Sequence, residues 1–174
     1  MSQEEIIGVI LKGAAALILV LLNGFFVAAE FALVKVRRTQ LAQLVEQGNR
    51  RAIMAQHLAD HLDAYLSAAQ LGITLASLGL GWIGEPIFFT LLAPVFDAVG
   101  LVEESHEGIR HSLSFGVGFG IITFLHIVVG EMAPKTLAIR QPVGTCLWVA
   151  YPFHWFYVAM KPFIIALNSS AMWV

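Results

Sequence analysis

Cysteine is nearly absent from this sequence. Cys146 stands alone, so no intrachain disulfide can brace the chain. Charge is scarce too: Asp, Glu, Lys and Arg make up 13% of the residues, with a formal net charge of −2. That balance excludes a basic nucleic-acid binder. The first residues, MSQEEII, lack both the basic n-region and the small-residue cleavage pattern of a secretory signal peptide. No strong internal repeat and no low-complexity stretch interrupt the 174 residues. What fills the chain instead is apolar: 58% hydrophobic residues and a mean hydropathy of +0.77. A water-soluble domain of this composition would expose more apolar surface than water tolerates, so the chain reads as an all-α integral membrane protein.

Three runs are long enough to cross about 30 Å of hydrocarbon at about 1.5 Å per residue. They cover residues 6–33, 64–84 and 112–130. Between the first two, Lys35, Arg37, Arg38, Arg50 and Arg51 face one acid, Glu46, which marks a cytoplasmic segment by the positive-inside rule. Residues 40–61 read as a polar cytoplasmic helix. The connection 85–111 carries Glu85, Asp97, Glu103, Glu104 and Glu107 against Arg110, and suits the outside. Within it, EPIFFTLLAPVFDAV is interrupted by Pro94 and reads as a short interfacial or re-entrant extracellular helix. These assignments put the N-terminus outside. A fourth apolar stretch, 143–160 continuing to 167, is rich in Trp, Tyr, Phe and His; Lys161 and the aromatic load favour an amphipathic helix lying in the interface over a span.

Polar residues inside spans are where function is sought first. Asn23 and Glu30 lie two helical turns apart and share a face. The ordinary alternatives are an interhelical hydrogen bond for Asn23 and an anchoring pair of Glu30 with Lys35 or Arg37. In the second span Ser67, Gln70, Thr74 and Ser77 form one polar stripe, and the long amide of Gln70 needs partners or a wet cavity. Gly116 and Gly120 make a G-x-x-x-G contact face in the third span, a pattern frequent by chance.

The third span ends in VVGEMAPKT. Pro134 has no N–H, so in α-helical geometry the Gly130 carbonyl loses its partner, with the Glu131 carboxylate beside it. A freed carbonyl next to a carboxylate is suited to a cation, as at broken helices of transporters. The bland reading is a proline kink with Glu131 paired to Lys135. The candidate ligands, Glu131, Gly130, Asn23, Gln70 and Ser67, offer only oxygen, which favours Mg²⁺ or Ca²⁺ over zinc or copper. His126 and Glu131 do not form the H-E-x-x-H motif, no Gly-rich phosphate loop follows GLGW, and no nucleophile–base pair occurs in the spans, so an enzyme is not expected.

LNGFFVAAEFALVKVRR, AAQLGITLASLGLGWIGEP and HIVVGEMAPKTLA together resemble the DUF21 transmembrane domain of the CorC/CNNM magnesium transporter family. The resemblance covers essentially the whole chain. It implies a homodimer in the plasma membrane, with three spans, an external N-terminus and a juxtamembrane helical belt that includes the fourth stretch, leaving the C-terminus cytoplasmic. It implies Mg²⁺ export, with Na⁺ as a coupling ion, through a site at Asn23, Ser67, Gln70, Gly130 and Glu131. ATP would act only through cytoplasmic CBS domains, which residues 1–174 do not contain, so the chain is expected to be the membrane domain of something longer. Eukaryotic-type members often read SGFFSGSE where this chain has Asn23 and Val27, which removes a hydroxyl at Val27. A passive channel and a membrane anchor or sensor that reports Mg²⁺ to such domains are the rival readings.

Overall fold

The computed structural model describes the backbone of residues 3–98 and 103–171, and most side chains outside 84–107. Every described element is helical. The order is α1 (Gln3–Lys35), α2 (Arg38–Glu46), α3 (Arg50–Asp60), α4 (Leu62–Ala98), α5 (Glu103–Leu125), a π-helical segment (His126–Met132), α6 (Ala133–Arg140) and α7 (Pro142–Ala171). Three stretches among the described residues are long and apolar enough to cross a membrane: Ile7–Lys35, Leu62–Ile83 and Phe115–Arg140. In lipid a helix satisfies its own backbone, which is why apolar runs of this length take that form.

Four details differ from the sequence expectations. The polar helix expected over 40–61 is two helices: Gly48 takes φ +79°, and Asn49 then caps α3 by accepting from the Arg51 and Ala52 amides at 3.0 and 3.3 Å. A positive φ costs glycine little and stops α2 there. Arg38 closes the pair by donating to the Ala59 carbonyl at 2.9 Å and meeting Asp60 at 3.2 Å. Second, among the described residues no separate short helix follows the second span. The backbone of α4 continues to Ala98, through Pro86 and Pro94. A proline removes one bond of the ladder, and the flanking bonds suffice to carry the helix past it. The side chains of 84–98 and residues 99–102 lie outside the described residues. Third, the acidic connection shrinks accordingly, because α5 already begins at Glu103. Fourth, the third membrane stretch extends ten residues beyond Gly130, to Arg140.

The core sits where α1, α3, α4 and α7 meet. Ala29, Ala32, Ala55, Ala68, Ala69, Ala138 and Ala150 are fully buried, and these small residues let the helix backbones approach closely. Tyr65, Phe26, Phe153 and Phe156 fill the remaining space. The fourth apolar stretch is α7, with Pro152 and Pro162 inside it, and it is not among the three spans. It packs on polar α3: the Tyr151 hydroxyl donates to the Arg50 carbonyl at 3.2 Å, and His57 and His154 approach with ring centroids 5.7 Å apart. α7 also packs on the first span, where the Phe26 and Phe156 ring centroids lie 4.6 Å apart. The third span is peripheral by contrast, with Phe115, Phe119, Phe124 and Ile127 all exposed on the single chain.

Candidate cation site between the spans

α1 and α4 run antiparallel in a register fixed by close contacts. A Cβ on Gly72 would come within 2.6 Å of the Phe26 ring, and one on Gly79 within 3.3 Å of Leu19. This register sets Asn23 opposite Ser77, whose hydroxyl donates to Asn23 Oδ1 at 3.4 Å. On its other side Asn23 Nδ2 donates to the Gly130 carbonyl at 2.9 Å. Asn23, only 1% exposed, thus ties all three spans together.

The third span reaches Asn23 because its helix widens. Over His126–Met132 the turns are π-helical, and the Ala133 amide bonds back to the Val128 carbonyl, five residues earlier. Pro134 follows and supplies no donor. The Gly130 carbonyl, four residues before the proline, accepts from the Asn23 amide. A π-bulge at a functional position is a recurrent feature of helices. Two glycines permit the approach: a Cβ on Gly24 would lie 2.9 Å from the Pro134 ring and 3.2 Å from the Val129 carbonyl, and a Cβ on Gly130 would lie 3.3 Å from Asn23 Nδ2.

Beside this junction lies a cavity of about 190 Å³, whose polar lining is Asn23, Glu30, His126, Glu131 and Lys135. Both ordinary pairings of its acids are absent among the described residues. No ion pair within 4.0 Å joins Glu30 to Lys35 or Arg37, or Glu131 to Lys135. The Lys135 ammonium rests instead over the Phe31 ring, 4.6 Å from its centroid. Two carboxylates against one ammonium leave the cavity formally negative, an expensive arrangement inside a membrane unless a cation shares it. No group of three His, Cys, Asp or Glu residues close enough to hold a metal occurs among the described residues. A cation here therefore draws on at most two carboxylates, neutral oxygens and water. That donor set fits Mg²⁺, which retains several waters, and the cavity has room for them.

The family model described as the cyclin M transmembrane N-terminal domain matches residues 14–174. The chain belongs to this family. It is 49% identical over 169 residues to UPF0053 protein YhdT of Bacillus subtilis, covering 97% of this chain and 35% of the relative. UPF0053 protein YugS of the same organism is 48% identical over 162 residues, covering 93% and 37% respectively. Uncharacterized protein MT1889 of Mycobacterium tuberculosis is 37% identical over 156 residues, covering 90% and 43%. The chain thus spans about a third to two fifths of the length of these relatives.

Of the five positions expected to form the site, this cyclin M domain brings three together: Asn23, Gly130 and Glu131. The other two lie outside the cavity lining. Ser67 donates to the Asp63 carbonyl of its own helix at 3.1 Å, and Gln70 is exposed. The reason is register: the residue of the polar stripe that faces Asn23 is Ser77, ten residues or about 15 Å further along α4. Glu30, His126 and Lys135 join the site without having been placed in the ligand set. Glu30 was detectable by its shared face with Asn23, Lys135 by its spacing from Glu131, and His126 as the only ionisable residue of the third apolar run, 112–130.

Proposed function

We propose that the chain is the membrane domain of a Mg²⁺ transporter, exporting Mg²⁺ in exchange for Na⁺, with the ion passing through the cavity between the three spans. The observation that carries this reading is the pair of carboxylates, Glu30 and Glu131, beside a π-helical turn at Gly130 latched by Asn23. Glu131 and Glu30 supply charge and Asn23 a neutral oxygen. Mg²⁺ and the Asn23–Gly130–Ser77 bonds compete for the same oxygens, so the latch opens as the ion is held. A site of two carboxylates and water binds a divalent ion loosely enough to release it, as transport requires. Na⁺, carrying half the charge, occupies the same carboxylates on the return.

The basic segment after α1 supports an orientation in which the Glu30 and Lys135 end of the cavity faces the cytoplasm from the plasma membrane, with the C-terminus on that side and the N-terminus outside. The exposed aromatic face of the third span supports a homodimer. The test is Mg²⁺ flux in liposomes carrying the chain, with and without an opposing Na⁺ gradient. Flux accelerated by the gradient supports coupled export; equal flux in both conditions identifies a passive channel. Mg²⁺ binding with no flux at all identifies a sensor or anchor.

A further inference from the structure

A second cavity, of about 270 Å³, lies between α4 and the third span, with Ser77, Leu80, Phe115, Phe119, Thr123 and His126 in its wall. Its lining follows one direction along both helices. On α4 it takes Ser77 and Leu80 where the carboxylate cavity takes Ile73. On the third span it takes Phe115 to His126 where the other takes His126 to Lys135. α4 and the third span run in opposite directions, so both orders place this chamber at the end away from the basic segment. The two chambers stand in series along the spans.

His126 is the residue they share, and Ser77 bonded to Asn23 completes the wall between them. The imidazole Nδ1 of His126 is buried and has no hydrogen-bond partner. An unpaired polar atom within a membrane carries a desolvation cost that water or a hydrated ion removes. His126 opens the π-helical turn, so small changes in that turn move its ring relative to Ser77. We propose that the second chamber is the release vestibule of the transporter and that His126 is the gate, its imidazole handing the ion's water shell from the carboxylate cavity to the vestibule. The aromatic walls at Phe115 and Phe119 keep the vestibule dry until a hydrated ion enters, the behaviour of a hydrophobic constriction. This inference rests on the transport reading above.

Two measurements on the full chain test it. In the first, His126→Phe keeps the ring volume and loses the polar edge, whereas His126→Gln keeps a polar group. Mg²⁺ affinity by titration calorimetry should fall by a smaller factor than flux in His126→Phe. Flux should fall at least tenfold in His126→Phe and stay within about threefold in His126→Gln. Unchanged flux in His126→Phe overturns the gate, as does a loss of Mg²⁺ affinity parallel to the loss of flux. The second measurement needs no transport and so separates this inference from the failure of that reading. Thr123→Cys and Val27→Cys are exposed in turn to a membrane-impermeant methanethiosulfonate from either face. Native Cys146 stays silent, since it is fully buried and burial pushes its thiol up to about 12. Thr123→Cys should react from the face opposite the basic segment, and Val27→Cys from the basic face. A Thr123→Cys that reacts with a lipid-soluble maleimide but with the impermeant reagent from neither face makes the second cavity a lipid-facing crevice, and overturns the vestibule.

Discussion

Asn23 and Gly130, 107 residues apart in sequence, are joined by a 2.9 Å hydrogen bond from the side-chain amide of one to the backbone carbonyl of the other. The bond resolves a local problem with a distant residue. Pro134 has no N–H for the carbonyl four residues before it, and the first span supplies a donor there. Asn23→Ala strands that carbonyl and the Ser77 hydroxyl together. A buried group left without its partner costs about 1–3 kcal/mol, so the variant should melt measurably lower in detergent than wild type. Asn23→Asp keeps the shape but replaces the donor with a charge, and should be the worse of the two.

Close approach at Gly24 makes a second prediction. Its Cβ would meet the Pro134 ring at 2.9 Å and a backbone carbonyl at 3.2 Å, and the carbonyl has little room to yield. Gly24→Ala should destabilise the chain by about 1–3 kcal/mol, as overpacking does, and thermal unfolding checks it. Gly8→Ala, where a Cβ meets nothing within 4 Å, should be neutral by the same assay.

These two positions also show what the sequence disclosed. The run lengths gave the three spans, and the Gly130–Glu131–Pro134 order pointed to an opened carbonyl beside an acid. The widening of the third span to five-residue bonds was not legible, because Pro134 alone is equally compatible with an ordinary kink. Nor was the register of α1 against α4. Ser67, Gln70 and Ser77 share one stripe, and only the packing of Phe26 over Gly72 selects Ser77 to face Asn23. α2 and α3 divide at Gly48 because of its positive φ, a feature that helical periodicity does not report.

The polar belt predicts a pH dependence. His57 lies on α3 beside His61 and His154, and desolvation first, then those two imidazoles, holds its pKa below the ordinary 6.5. The folded chain therefore binds fewer protons there than the unfolded chain. Stability from this group is complete above pH 6.5 and is lost as pH falls through the depressed value. The melting temperature should drop between pH 7.5 and pH 5, and His57→Gln should flatten that slope.

Lys135 competes with any cation for the two acids of the site. Its ammonium lies over Phe31 and lines the same cavity as Glu30 and Glu131. Lys135→Met removes that competitor while keeping the length of the side chain. Mg²⁺ should bind this variant several-fold more tightly by titration calorimetry, and its release should slow.

Glu131 is the centre of the account, as the carboxylate that gives the opened turn of the third span a use. The direct test is the rate of Mg²⁺ efflux from loaded liposomes for Glu131→Gln against wild type at matched incorporation. Loss of one of two carboxylates should lower the rate at least tenfold while the melting temperature stays near wild type. An efflux rate equal to wild type would contradict the assignment of the cavity as the path of the ion.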